Sequence, residues 1–595
     1  MVDCKMVKKD YSNLTKEELQ KLVQIKDKEL ANKKYGLIWD SEKEPEKVVQ
    51  ECAENLPILK NVGGKTIKTN DGEDNILIEG DNYHALTVLN YTHKEKIDVI
   101  YIDPPYNRGN NDFKYNDRYV EKEDGYRHSK WMNFMEKRLR LMKKILKSTG
   151  VIFISIDENE FAQLKLLCDK IFGENNFLGN LIWKKRGGIG SFAEKNLTQN
   201  HEYILVYKRQ NGFIYQNILG ETRKKQFKEK DERGIFRWIG LIGPSQQTKK
   251  RRPNLDYGII YDIKNKKIVG FKKRDNTKIF FDKKCSNKLY EIWLGGEATW
   301  LVGMNIITKF YKKGLIDIFE EQDTYSVKIK NYLYNELGEI NGTILKSNLI
   351  DNDIKIGMNT EGTKQIREIL YPKDYGNMKP KPLSLIEFLL STRTDKNSII
   401  LDCFAGTGTT GHAVINLNNK DEGHRKFILC TNNEGNICKD VCYPRLKNII
   451  KGYKNKKVGN IKGLGGNLQY FKTDLIKKSN NRDQIKINLT QECTEMLCVK
   501  ENIFNLKKGS EDFKIFESHK KDKFLCVYYN FIDSSFKNFL KEIKKLNGKK
   551  IVYMFSLENT IDKELFEGIE NIKFEAIPQK ILEVYKQLIK LNIKK

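Results

Sequence analysis

The chain has 595 residues, 39% of them hydrophobic, which is too long for one core and apolar enough to pack two to four domains. Lys and Arg number 107 against 79 Asp and Glu, and the net charge of +28 favours a polyanionic partner, nucleic acid first. No run approaches the roughly 18 apolar residues of a membrane span, and the N-terminus lacks the apolar core of a signal peptide. Eleven cysteines without a Cys-x-x-Cys pair argue against zinc and disulfide frameworks, so a cytoplasmic protein is expected.

Thr15-x-x-Glu18 is a capping box that predicts a helix over 15–34, and 41–60 reads as a polar connection, making 1–60 an N-terminal helical extension. Gly64-Lys65-Thr66 lacks the first glycine of a phosphate loop, because Leu59 stands there, and reads as a hairpin turn. A strand over 75–79 ends in Gly80-Asp81-Asn82, a helix follows through Leu86 and Leu89, and Val99, Ile100 and Ile102 form a second strand. Asp81 either caps that helix or lines a pocket. Pro104 and Pro105 stop the second strand because neither can donate to a sheet ladder. Asp103 is thereby left at a strand's carboxyl end, where open α/β sheets bind ligands, with Tyr106 beside it. An acceptor, a rigid carbonyl and an aromatic face suit a nucleobase carrying an exocyclic amine; the four residues alone also fit a plain turn. A polar loop runs from Asn107 and Arg108 to Arg127, long enough to order over a substrate. Ser129 is a candidate cap for the next helix, and strands near 151–157, 181–184 and 201–207 complete an α/β half over 61–208.

From 209 to 355 the rhythm breaks. Lys249, Lys250, Arg251, Arg252 and Asn254 cluster there, and with Trp238, Trp293 and Trp300 they predict an inserted nucleic-acid reader. The βα rhythm returns over 356–458. A strand at 398–401 runs into Asp402-Cys403-Phe404-Ala405-Gly406-Thr407-Gly408, and a helix starts near Thr409. Glycines let the backbone approach a ligand, and the helix N-terminus adds free donors. A second strand at 425–430 leads to Glu434, placed as a ribose-hydroxyl acceptor would be. Gly406-x-Gly408-x-x-Gly411 also meets the dinucleotide fingerprint, which keeps a dehydrogenase open. The glycines at 459–466 read as a linker to a small α/β accessory domain, so that 459–595 forms the last unit.

Asp103-Pro104-Pro105-Tyr106 together with Asp402-x-Phe404-x-Gly406-x-Gly408 resembles the amino-methyltransferases of DNA in their permuted β-class order. Lys381-Pro382 is similar to the motif that packs over the cofactor in that class. Gly80-Asp81-Asn82, the loop from Asn107 to Asp117, Arg252-Pro253-Asn254, Thr431 to Glu434 and Val441 to Arg445 are similar to the modification subunits of type III restriction-modification systems. Two positions depart: Arg108 replaces a small hydroxyl residue, and Glu434 lies further beyond its strand than usual. The resemblance implies a circularly permuted, Rossmann-like α/β sheet that binds S-adenosylmethionine, an inserted target-recognition domain over 209–355, and the C-terminal accessory domain. Asp103, Pro104, Pro105 and Tyr106 are then the catalytic set. Asp81, Lys381, Pro382, Asp402, Phe404, Ala405, Gly406, Thr407, Gly408 and Glu434 hold the cofactor, and Arg108, Lys250, Arg251, Arg252 and Asn254 touch DNA. The reaction implied is methyl transfer to adenine N6 in duplex DNA after base flipping. Cytosine N4 is the nearest alternative, and a non-catalytic DNA-binding module is the alternative of another class. A homodimer is expected, with ATP-driven cleavage left to a separate restriction subunit.

Overall fold

The computed structural model describes residues 15–31, 45–187, 199–210, 225–321, 324–333, 349, 356–373, 375, 378–479, 481–557 and 560–592. Its centre is a nine-stranded sheet of β1 (Asn55–Asn61), β2 (Asp74–Glu79), β3 (Ile97–Ile102), β4 (Leu146–Ile156), β5 (Phe177–Lys184), β6 (His201–Lys208), β7 (Ile399–Asp402), β8 (Lys426–Thr431) and β9 (Asn467–Lys477). Their spatial order is β1-β9-β2-β8-β7-β3-β4-β6-β5. The run from β9 to β4 is parallel, while β1, β6 and β5 are antiparallel to their neighbours. The late strands β7 and β8 therefore sit between the early strands β2 and β3.

The central strands are apolar on both faces, as parallel strands covered on both sides must be. Ile100, Ile102, Ile152, Leu401 and Ile428 pack into one core, while Val99, Tyr101, Phe153, Ile400 and Leu429 pack into the other. Helices Asn82–Thr92, Arg127–Ile145 and Phe161–Phe172 cover the first face. Helices Leu383–Ser391, Thr409–Asp421 and Tyr443–Lys451 cover the second. The helix that follows β3 thus lies on one face and the helix that follows β7 on the other. Between these neighbouring strands the carboxyl ends open into a crevice, where such sheets bind ligands.

The N-terminal helix spans Lys16–Ala31 and its capping box is formed, Thr15 N donating to Glu18 at 2.9 Å. The expected polar connection over 41–60 is corrected for its described part: Lys47–Glu54 is a helix and β1 is an edge strand of the main sheet. The expected boundary at 458/459 is corrected too. After the hairpin of Gly452–Asn455 and Gly459–Lys462, β9 enters the main sheet between β1 and β2. Helix Arg127–Ile145 is preceded by Tyr126, so Ser129 lies inside its first turn instead of capping it.

Between 225 and 333 two four-stranded antiparallel sheets share a core of Tyr257, Ile259, Phe271, Trp300 and Val327. Trp300, expected on a nucleic-acid surface, is instead buried in that core and donates its indole N–H to the Tyr257 carbonyl at 2.6 Å. At the C-terminus a five-stranded sheet between Asn505 and Ile577 carries helices Ser534–Lys544 and Gln579–Asn592. It is tied to the main sheet by Tyr585 to the Pro57 carbonyl and by His519 to Asp74 at 2.5 Å.

Candidate active site

Asp103 leaves β3 at the crevice, and the Pro104-Pro105 turn is pinned by the Trp131 indole, which donates to the Pro105 carbonyl at 2.7 Å. Tyr106 is buried, and its hydroxyl lies 2.7 Å from Asp103 Oδ1. Burial, with Asp103 and Glu202 close by, pushes that phenol well above its ordinary range. Asn107 takes a left-handed φ of 57° and donates to the buried Glu160 at 2.5 Å, which fixes the turn leaving Tyr106. Burial pushes Glu160 up to about 8, which favours its neutral form at pH 7.

Facing Asp103 across the crevice is the turn after β7. Asp402 Oδ1 accepts from Phe404 N at 2.9 Å and Oδ2 accepts from Thr410 at 2.5 Å, and burial lifts this carboxyl to about 7. Although Asp402 lines the crevice, both oxygens are thus committed to holding the turn. Gly406 and Gly408 have φ of 49° and 79°, a region side chains disfavour. A Cβ on Gly408 would lie 2.9 Å from Cys442 Sγ. The buried Arg445 donates to Thr409 Oγ1 at 2.8 Å and reaches Thr407 at 3.3 Å, securing the start of helix Thr409–Asp421.

Two cavities meet at this point. One of about 530 Å³ is lined by Asp81, Asp103, Pro105, Phe134, Phe404, Gly406 and Glu434, among others. The second, about 260 Å³, is lined by Asp103, Lys381, Asp402, Phe404, Ala405, Gly406 and Thr407, among others. Asp103, Phe404 and Gly406 line both. The larger falls in the size range of small-molecule sites. Asp81 both caps helix Asn82–Thr92, accepting from Tyr83 N at 2.6 Å, and faces the larger cavity. Glu434 sits at the cavity rim, held by Lys114 at 2.5 Å and Tyr119 at 3.1 Å from the loop after Tyr106.

Among the described residues, two expected cofactor residues, Pro382 and Gly408, line neither cavity, while Lys381 lines the smaller one. Pro382 is buried at the start of helix Leu383–Ser391; Pro380 lines the smaller cavity. The Lys381 ammonium reaches Tyr106 OH at 2.7 Å, Glu202 at 2.8 Å and Asp103 Oδ1 at 3.1 Å. Arg108 pairs with Asp157 at 2.6 Å and lies 4.8 Å from the centre of the Tyr106 ring, so its charge is engaged within the protein. Lys250, Arg251, Arg252 and Asn254 all lie exposed around the short turn Pro253–Leu255.

Two features of the site have no local signal in the sequence. Glu202 on β6 is buried and joins Lys381, Arg108, Lys185 and Tyr106; nothing around it in the chain marks it. A cleft of about 1070 Å³, whose lining includes Arg108, Lys185, Arg186, Lys364, Arg367, Lys379 and Lys457, adjoins this cluster, and Lys379 lines both cleft and smaller cavity. Its basic residues are scattered along the chain, so no charge run announces them.

Residues 97–443 match the DNA methylase family. The chain is 30% identical over 406 residues to the type III restriction-modification enzyme StyLTI Mod subunit of Salmonella typhimurium, covering 63% of this chain and 55% of that protein. It is 30% identical to the type III restriction-modification enzyme EcoPI Mod subunit of Escherichia phage P1, covering 74% of this chain and 69% of that one. It is 32% identical to the type II methyltransferase M.KpnI of Klebsiella pneumoniae, covering 64% of this chain and 84% of that one. The chain therefore spans little more than half the length of the StyLTI subunit.

Proposed function

The chain belongs to the DNA methylase family, and from that premise we propose that it is a site-specific adenine-N6 DNA methyltransferase, the modification subunit of a type III restriction-modification enzyme. The observation that carries this reading is Asp103 facing the Phe404–Gly408 turn, with both lining the same two cavities. S-adenosylmethionine fits the larger cavity: the Gly406 backbone approaches without a side chain, Phe404 and Phe134 supply an apolar wall, and Asp81 and Glu434 supply acceptors. When bound, that cofactor supplies an electrophilic sulfonium methyl group.

The remaining work falls to the chain. Adenine N6 is not presented to an enzyme pocket within a duplex, so the target base must leave the stack. The basic cleft gives phosphates a surface next to Tyr106, and Lys379 marks a route from it to Asp103. Asp103 and the Pro104 carbonyl accept the two N–H bonds of the amine and draw electron density onto nitrogen. Catalysis is then positioning and electrostatics. Stacking on Tyr106, worth about 1–3 kcal/mol per base, offsets part of the unstacking cost once Arg108 yields the ring face. The protein works as a homodimer with a separate restriction subunit, in the cytoplasm. Among the described residues, no helix is long and apolar enough to cross a membrane.

The test is labelled-methyl transfer from S-adenosylmethionine to unmodified duplex DNA, read by modification-sensitive sequencing. Adenine label at one recurrent motif is expected. Label on cytosine overturns the choice of base, and no label with the cofactor bound overturns the activity.

A further inference from the structure

Around Asp103 the hydrogen bonds are unevenly shared. Oδ1 meets both Tyr106 OH at 2.7 Å and the Lys381 ammonium at 3.1 Å. Among the described residues, no hydrogen bond is made to Oδ2, although Asp103 lines both cavities. Lys381 is itself held: its side chain is 10% exposed, its nitrogen lies 2.8 Å from Glu202 Oε2, and it sits 4.9 Å from the centre of the Tyr106 ring. Glu202 is 5% exposed and is also approached at 3.5 Å by Arg108 and by Lys185. Burial opposes both charges, yet the carboxylates of Asp103 and Glu202 hold the Lys381 ammonium above its ordinary range, and Lys381 leads the cations that hold Glu202 below its own.

We propose that Lys381 and Glu202 are positioning residues of the methyl-acceptor site: the ammonium, anchored on Glu202, takes one oxygen of Asp103 and leaves the other turned to the target amine. This rests on the methyltransferase reading above and adds to it. An ionised carboxylate can only accept hydrogen bonds, and the ammonium occupies one of its two oxygens. Its bond to Oδ1 also fixes the plane of the carboxylate, so the amine meets a single orientation. Glu202 keeps Lys381 at the edge of the Tyr106 ring, out of the path of an entering base.

The experiment uses the full-length protein with S-adenosylmethionine and duplex DNA, measuring single-turnover methyl transfer at saturating cofactor and, separately, cofactor affinity. Lys381→Met strands Glu202 as a buried unpaired anion, a change that can prevent folding, so Glu202→Gln/Lys381→Met, which removes both charges, is measured beside it. In both, transfer at saturating cofactor should fall about 10-fold or more. Cofactor affinity should change less than about twofold. Glu202→Gln alone keeps the cation on Asp103 and should lower the rate less than the double variant does; Lys381→Arg should restore much of the rate. A weakened cofactor affinity with normal transfer at saturation returns Lys381 to the cofactor and overturns the proposal, as does wild-type transfer by the folded double variant. If the wild type itself binds cofactor and transfers to no base, the activity reading falls and this inference with it.

Discussion

Tyr106 carries two separable contributions, a ring face and a hydroxyl. The hydroxyl joins Asp103, Lys381 and Glu202, all within 3.2 Å, so its removal disturbs the Asp103 carboxylate even if the ring remains. Tyr106→Phe should slow transfer about tenfold or more, the loss of a hydroxyl bonded to charged groups, with base capture nearly intact. Tyr106→Ala should also lose the stacking surface, adding about 1–3 kcal/mol. Fluorescence of 2-aminopurine at the target position separates the two, and equal capture by both variants would remove stacking from the account. The same turn carries a pH signature through Glu160. Its carboxyl is raised by burial from the ordinary 4.5 to about 8, so the folded state binds a proton that the unfolded state releases. The resulting stability is fully present below about pH 4.5, declines as pH rises, and is gone above about 8. At its fullest it is worth a few kcal/mol, since each tenfold change in proton affinity between the two states contributes about 1.4 kcal/mol. Unfolding temperatures at pH 6 and 8.5 should differ more in the wild type than in Glu160→Gln, which stays neutral throughout. Equal differences would show that Glu160 is charged in the folded protein.

At the scale of elements, what can be read from the sequence is local. Strand β3 and its Pro104-Pro105 stop, or β7 and its glycine turn, each announce themselves within ten residues, because an apolar run and its breaker are neighbours in the chain. Strand β1, with Pro57 inside it and polar residues at both ends, looks like a connection until β9 pairs with it from more than 400 residues away. Trp300 and Glu202 escape a local reading for the same reason: whether a tryptophan is core or surface, or an acid a hub, depends on partners the local pattern does not contain. Lys381 shows the limit of a motif, which locates its backbone near the cavity but not the carboxylate its ammonium meets. The glycine turn allows a sharper test because its two glycines do different work. Gly408→Ala meets Cys442 Sγ at 2.9 Å and an unfavourable φ of 79°, a strain of about 1–2 kcal/mol before any repacking. Gly406 has no atom closer than 3.8 Å to an added Cβ and lines both cavities, so Gly406→Ala carries the φ strain and intrudes on the ligand's space. Calorimetry should show Gly408→Ala with the larger loss of stability and Gly406→Ala with the larger loss of cofactor affinity at a given stability. The reverse order would place the cofactor elsewhere.

For the whole molecule, the sheet is completed by strands that lie before and after the crevice residues in the chain. Strand β9 is hydrogen-bonded on one side to β1 and on the other to β2, so it is an interior strand although it comes late in the sequence. A chain ending at 458 would leave β1 without a partner and expose one edge of β2, and with it Leu77, Ile78 and the core they share with β8. Unpaired edges and bare apolar faces are the conditions for aggregation. Such a chain should therefore be insoluble and bind no cofactor, even though it retains every residue of the crevice. A chain ending at 479 keeps β9 and loses only what packs outside it. Helix Thr494–Glu501, which covers Asn82–Thr92, is lost, together with the Tyr585 and His519 bonds to Pro57 and Asp74. It should fold and bind S-adenosylmethionine, with an unfolding temperature below that of the full chain because part of the first core is then bare. Soluble yield, unfolding temperature and cofactor titration on the two truncations distinguish these states. If the chain ending at 458 folds and binds as well as the longer one, β9 is an accessory to the sheet; if neither folds, the C-terminal unit is as much a part of the methyltransferase core as the crevice it lies behind.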